Sequence, residues 1–301
     1  MNLPDWIDEF SEVRDYGYGV MIWLLAKVIH WPQFLLYFHS AVFVGSMFAF
    51  FARYSKNTLT PVFLLFGTGL FAFYMTAFRQ SFGLSLALVA FMIFDAALKR
   101  KKGLFWKIPL SVLIFWISTT MHKSSYILVL ALVILLIKRT WLKIVFSVII
   151  SVLVFIFRDV ILLYGNEFVD RSYEEGTTSS LVGFAITLVV CLLPLIFLFL
   201  QGLQRKRKIP LLKDPMFVNF ATLSLVGIAF YIIRLYALVF ERVAFLFFIF
   251  CIPMYEPSID DTFDKKSAQT LYVLANVFSI ALFLYRLTHA PNGANFVFFW
   301  Q

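Results

Sequence analysis

The 301-residue sequence is 61% apolar and only 14% charged, and 38 phenylalanines bring its aromatic share to 19%. An ordinary soluble domain is about a quarter charged, so composition excludes one and leaves a polytopic helical membrane protein; a transmembrane β-barrel would show short alternating strands, and the sequence has no such pattern. The net charge of +9 would point to nucleic acid in a soluble chain, but the basic residues here fall in short connections between apolar runs, where they orient a bundle in a bilayer and imply no nucleic-acid partner.

Residues 1–17 form a polar, acidic segment (Asp5, Asp8, Glu9, Glu12, Asp15) without the pattern of a cleavable signal peptide. Residues 16–31 are amphipathic, interrupted by Gly17, Gly19, Lys27 and His30 and closed by Pro32, which predicts a re-entrant or interfacial helix in place of a span. A single membrane domain of ten spans follows at 33–52, 59–76, 80–98, 104–121, 124–138, 143–157, 181–200, 216–236, 242–256 and 269–287. Most of these runs approach the roughly 20 apolar residues that cross a hydrocarbon core; 124–138 and 143–157 are short. Pro109, Pro194 and Pro253 lie within or near the ends of spans and predict kinks. Cys191 and Cys251 both fall inside apolar runs and read as packing residues. No internal repeat supports an inverted-repeat transporter.

The positive-inside rule orients the whole chain. Alternate connections carry Arg53 and Lys56; Lys99-Arg100-Lys101-Lys102; Lys138, Arg139 and Lys143; Arg205 to Lys208 with Lys213; and Lys265-Lys266. Together with Lys107 these are 17 of the 26 basic residues, so that face is expected in the cytoplasm. The opposite face receives residues 1–17, Arg79, His122, a long loop at 158–180, the stretch from Arg234 to Arg242, and the tail 288–301. Both termini are therefore expected outside.

The outer face collects the residues with chemical potential. Arg79-Gln80-Ser81 sits at a span boundary, where an arginine either snorkels to headgroups or clamps phosphate through its forked guanidinium. His122 precedes Lys123-Ser124-Ser125 between two spans. A histidine at a helix end is commonly a cap, yet among hydroxyl and cationic neighbours it also suits a general base or a sugar-hydroxyl partner. Glu241-Arg242, preceded by Arg234 and Tyr236, reads either as a local ion pair or as a second basic group for a diphosphate. Within the charged loop 158–180, Asp170-Arg171 is the leading pair for substrate contact. No phosphate-cradling glycine loop, HExxH, GxSxG or paired-cysteine metal motif occurs, which excludes an ATP-driven pump and the common soluble hydrolases.

Three clusters in order, Phe78-Arg79-Gln80-Ser81, Met121-His122-Lys123-Ser124-Ser125 and Glu241-Arg242-Val243-Ala244-Phe245-Leu246-Phe247, resemble the EpsG family. The similarity runs from Asp15-Tyr16-Gly17-Tyr18 to the tail, and the family stands with Wzy-type polysaccharide polymerases of bacterial envelopes. The resemblance implies an all-α bundle similar to the polyprenyl-dependent membrane glycosyltransferases, multi-pass in the bacterial plasma membrane. It implies an enzyme that polymerises undecaprenyl-diphosphate-linked repeat units into exopolysaccharide, capsule or O-antigen. On that reading Arg79 and Arg242 take the diphosphate, with Arg171 or Arg234 as auxiliaries, and His122 deprotonates or orients the acceptor hydroxyl. Gln80, Lys123, Ser124, Glu241, Asp170 and Tyr18 would contact substrate. Arginines that take the diphosphate charge leave no demand for a metal or other cofactor. Membrane lipid, a flippase and a chain-length regulator of the same pathway are the implied partners. Members usually begin with one or more spans ahead of the tyrosine-rich segment, which this chain lacks, so a short member, an internal start or a truncated copy is expected. The rival readings are a flippase or exporter of lipid-linked glycan and a membrane acyltransferase using His122.

Overall fold

The computed structural model describes residues 15–31, 33–100, 104–169, 181–204, 210–237 and 239–289, and every regular element among them is helical. The first six helices are α1 (Tyr16–Val28), α2 (Gln33–Tyr54), α3 (Leu59–Gly67), α4 (Leu70–Thr76), α5 (Phe78–Arg100) and α6 (Leu104–Met121). A 3-10 turn at Lys123–Leu128 leads into α7 (Val129–Leu136), then α8 (Thr140–Ile156), α9 (Arg158–Val169) and α10 (Leu181–Gln204). The remaining helices are α11 (Pro215–Ile233), α12 (Val239–Phe248), α13 (Tyr255–Thr262) and α14 (Lys265–His289). Among the described residues six helices, α2, α5, α6, α10, α11 and α14, are long and apolar enough to cross a membrane. The protein is an all-α, multi-pass membrane protein.

Three of the ten expected spans are broken, and a fourth is a single helix that falls short of the span length. Residues 59–76 are two helices broken at Gly69, whose φ of 79° is the left-handed region that favours glycine. Residues 124–138 are a 3-10 turn followed by an 8-residue helix. The run 242–256 is interrupted by a second 3-10 turn, Ile252–Met254, around Pro253. Residues 143–157 fall on the 17-residue helix α8. Irregular backbone in an apolar chain survives where protein covers it, and these breaks are covered: Thr68, Leu70, Phe250 and Ile252 are all buried. Hydropathy alone registers the apolar run and is blind to the break inside it. Pro109 and Pro194, by contrast, lie inside the continuous helices α6 and α10.

Two further expectations are corrected. Where a charged loop was expected from residue 158, residues Arg158–Val169 are helical; Asp159 stands in the first turn, where the helix dipole favours an acid. Lys143 is not a solvated loop lysine: it is 4% exposed on α8 and its Nζ donates to Asn219 Oδ1 of α11. A buried ammonium needs such a partner.

Helix α11 is the axis of the bundle, buried along nearly its whole length and packed against α12, α8, α10 and α7. Lipid is as apolar as leucine, so helix association rests on close packing and hydrogen bonds more than on hydrophobic transfer. The phenylalanines supply the packing: Phe50, Phe91, Phe220 and Phe250 form a cluster with ring centroids 5.3–6.3 Å apart. Helix α5 packs mainly on α6 and α2, and α14 lies along α3 with Val273, Leu274, Val277 and Phe278 facing outward.

Candidate active site

The N-terminal end of α5 gathers side chains from four segments that are distant in sequence. Gly17 makes the first approach: a Cβ there would stand 2.2 Å from Thr120 Oγ1, so α1 lies directly on the end of α6. That contact carries Asp15, at the head of α1, to the 3-10 turn, where Oδ1 accepts from Lys123 N at 3.3 Å. Its other oxygen, Oδ2, pairs with Arg79 Nη1 at 3.0 Å. Gly83 makes the second approach, since a Cβ would meet Ser125 Oγ at 2.4 Å and His122 Cβ at 3.5 Å. The histidine turn therefore sits one helical turn along α5 from Arg79.

His122 caps that 3-10 turn from an extended backbone (φ −158°, ψ 128°). Its Nδ1 accepts from Ser124 N at 3.1 Å and lies 2.7 Å from Ser124 Oγ. The third element arrives through Gln80, whose Nε2 donates to Arg242 O at 2.9 Å and ties the start of α5 to the start of α12. Tyr74 repeats the tie one turn further on, its hydroxyl donating to Phe245 O at 2.6 Å.

Electrostatics confirm that these groups share one environment. Burial, with the Arg79 and Arg242 charges adding to it, holds the His122 imidazole down to about 4, so it is neutral near pH 7. Burial raises the Asp15 carboxyl above the ordinary range, opposed by Arg79 and by the Lys123 backbone and charge. Tyr18, on α1, is also within reach of the Arg79 charge and packs edge-on against Phe82 at 6.5 Å.

Of the residues expected at a site, the structure brings together Arg79, Gln80, His122, Lys123, Ser124, Arg242 and Tyr18. Arg234 and Glu241 form a neighbouring pair: Nη1 lies 2.9 Å from Glu241 Oε1 and 2.6 Å from the Tyr231 hydroxyl, and the guanidinium rests over the Phe184 and Tyr231 rings. That buried arrangement anchors the entry to α12 and gives Arg234 a structural task. Asp170 and Arg171 lie outside the described residues.

Two participants escape sequence reasoning. Asp15 is one of five acids in a polar segment; it opens the stretch Asp15-Tyr16-Gly17-Tyr18, but that position alone assigns it no contact with Arg79. His39 sits mid-helix in α2, 2% exposed, with Nε2 2.7 Å from Ser81 Oγ and its ring edge-on to Phe78. A histidine inside an apolar run was the available signal.

No curated protein and no solved structure matches the chain. The model of the EpsG family matches residues 5–299, almost end to end, and the chain belongs to that family.

Proposed function

We propose that this protein extends polysaccharide by joining glycan units carried on undecaprenyl diphosphate, at the outer face of a bacterial plasma membrane. Membership of the EpsG family supports a polysaccharide-related, polymerase-like role. The observation that carries the finer reading is the convergence of two guanidinium groups, Arg79 and Arg242, on one neutral imidazole, His122. A diphosphate leaving group develops negative charge, and fixed cations in a water-poor site are the effective way to stabilise it. Arg79 remains 37% exposed on its side chain beside Asp15, with guanidinium surface left to meet a phosphate.

The placement supports the same reading. Along α5 the run from Arg79 to Lys99 covers about 30 Å, the thickness of a hydrocarbon core. Lys99 and Arg53 lie at the other end, paired with Asp95, and the positive-inside rule then favours Arg79, His122 and Arg242 outside. In this reading a flippase supplies the lipid-linked unit and a chain-length regulator limits the product.

The test is extension of a polyprenyl-diphosphate oligosaccharide by the purified protein in lipid nanodiscs. Arg242→Ala and Arg79→Ala are each expected to lower the rate about 10²–10³-fold. Arg242→Ala is the cleaner probe, because Arg79→Ala also strips Asp15 of its cation. Undiminished extension in both variants overturns the proposal. In cells, loss of the gene is expected to leave single lipid-linked units at the outer surface; units trapped on the cytoplasmic side would show a flippase instead.

A further inference from the structure

His122 is the obvious base for a reaction in which a sugar hydroxyl attacks an anomeric carbon, but the backbone donor facing its Nδ1 argues against that role. A backbone N–H can only donate, and Ser124 N donates to His122 Nδ1 at 3.1 Å. The lone pair of Nδ1 is therefore committed, and the single proton of the neutral ring resides on Nε2. To accept a proton at Nε2, the ring would have to carry its own proton on Nδ1, facing the Ser124 N–H and breaking the cap of the 3-10 turn. Nε2 has no partner among the described residues, so His122 presents a donor to whatever binds there.

The proton must then go elsewhere, and among the described residues Asp15 and Glu241 are the acids beside this cluster. Glu241 is paired with Arg234 at 2.9 Å. Asp15 is bonded to both halves of the cluster, through Oδ2 to Arg79 and through Oδ1 to Lys123 N, the residue after His122. A carboxylate has about four lone-pair positions, and these two contacts use two. We propose that Asp15 is the general base of this site and that His122 acts beside it as an Nε2–H hydrogen-bond donor.

This assignment rests on the polymerase reading above. In the step, the acceptor hydroxyl oxygen bonds to the anomeric carbon of the donor glycan while its proton passes to an Asp15 oxygen. The bond from that carbon to the diphosphate oxygen breaks, and the electron pair leaves with the polyprenyl diphosphate between Arg79 and Arg242. Asp15 returns its proton to water after the product leaves. Its burial raises its proton affinity toward what a base needs, and Arg79 of α5 and Lys123 of the 3-10 turn oppose that rise. Tyr18 on α1 shares the Arg79 field, and Arg242 of α12 acts on His122. The arrangement also couples the two halves of the reaction: the guanidinium that meets the diphosphate is the one that orients the base.

The experiment is the same extension assay, run as a pH–rate series on the full chain in nanodiscs. Asp15→Asn is expected to lower kcat about 10²–10⁴-fold, to leave KM for the lipid-linked donor within about threefold, and to remove the acid limb of the profile. His122→Gln, which keeps a donor and cannot titrate, is expected to retain that limb. Full kcat in Asp15→Asn overturns the assignment, as does a loss confined to KM, which would reduce Asp15 to a positioning residue for Arg79. Loss of the acid limb in His122→Gln overturns it in favour of His122. Should Asp15→Asn not fold, judged by its melting midpoint in detergent, Asp15→Glu decides: a slower enzyme that keeps an acid limb supports the assignment, and a limb that vanishes overturns it. A wild-type protein that extends no chain at any pH refutes the polymerase reading itself, which is a different failure.

Discussion

The two ends of α5 use the same residue types to opposite effect. At its C-terminal end Asp95 is buried and accepts from Arg53 Nη2 at 3.1 Å, the Tyr54 hydroxyl at 3.0 Å and Lys99 Nζ at 3.2 Å. All four residues belong to α2 and α5, two adjoining helices, and the carboxylate is nearly saturated. That cluster is a staple. At the N-terminal end, Asp15 has one guanidinium and one backbone N–H, and the cations and imidazole around it come from α5, the 3-10 turn and α12. What separates the structural ion pair from the candidate site here is not charge but coordination: how many donors each carboxylate already has, and how many chain segments must converge to supply them.

That contrast can be broken or sharpened by substitution. The largest effect is expected from Arg79→Lys combined with Arg242→Lys, which keeps both charges and removes both forks. Chain extension should fall about a hundredfold or more, at least about 3 kcal/mol in barrier, while the melting midpoint barely moves. Acid comes next, at the same end. The His122 imidazole protonates at about 4 when folded and at 6.5 otherwise, so below pH 6.5 the unfolded chain takes up the extra proton first. Stability is therefore flat above 6.5 and falls toward pH 4, by up to about 3 kcal/mol. Denaturation midpoints of wild type and His122→Gln across that range measure it, and the variant should lose most of the slope.

Asp95→Ala is expected to act the other way round, costing about 2–3 kcal/mol of stability by leaving Arg53, Tyr54 and Lys99 without their acceptor. Extension per folded molecule should survive, and a selective loss of activity would erase the distinction between the two ends. Gly83→Ala forces its Cβ into Ser125 Oγ and should cost about 1–2 kcal/mol, read as a lower melting midpoint with a displaced His122 turn. The smallest effect belongs to Lys56→Met. Its side chain is 83% exposed and its ammonium 3.7 Å from Asp260, and its removal should change stability by no more than about 0.5 kcal/mol.

Much of this was legible in the sequence, for physical reasons. Hydropathy marks long apolar helices because bilayer thickness sets a length, and α2, α5, α6, α10, α11 and α14 follow from it. Arg79, His122 and Arg242 stood out because charge beside apolar runs is costly and needs a reason. What hydropathy does not report is how a run is broken. Gly69 was one glycine in an apolar stretch until its φ showed a turn, and Pro253 sits in a 3-10 turn between two helices where a kink was expected. Asp15 was hidden differently: its importance comes from Gly17 lying on Thr120, a tertiary contact that leaves no periodicity behind. The His122 role, too, depended on which ring nitrogen meets a backbone N–H, a matter of ångströms.

The bond from Gln80 to the carbonyl of Arg242 spans 162 positions of sequence. During synthesis at about 5–20 residues per second, Arg79 and His122 would wait roughly ten to thirty seconds for α12 to emerge. Through that interval the nascent bundle holds only part of its cationic cluster, which is completed only when the closing helices dock.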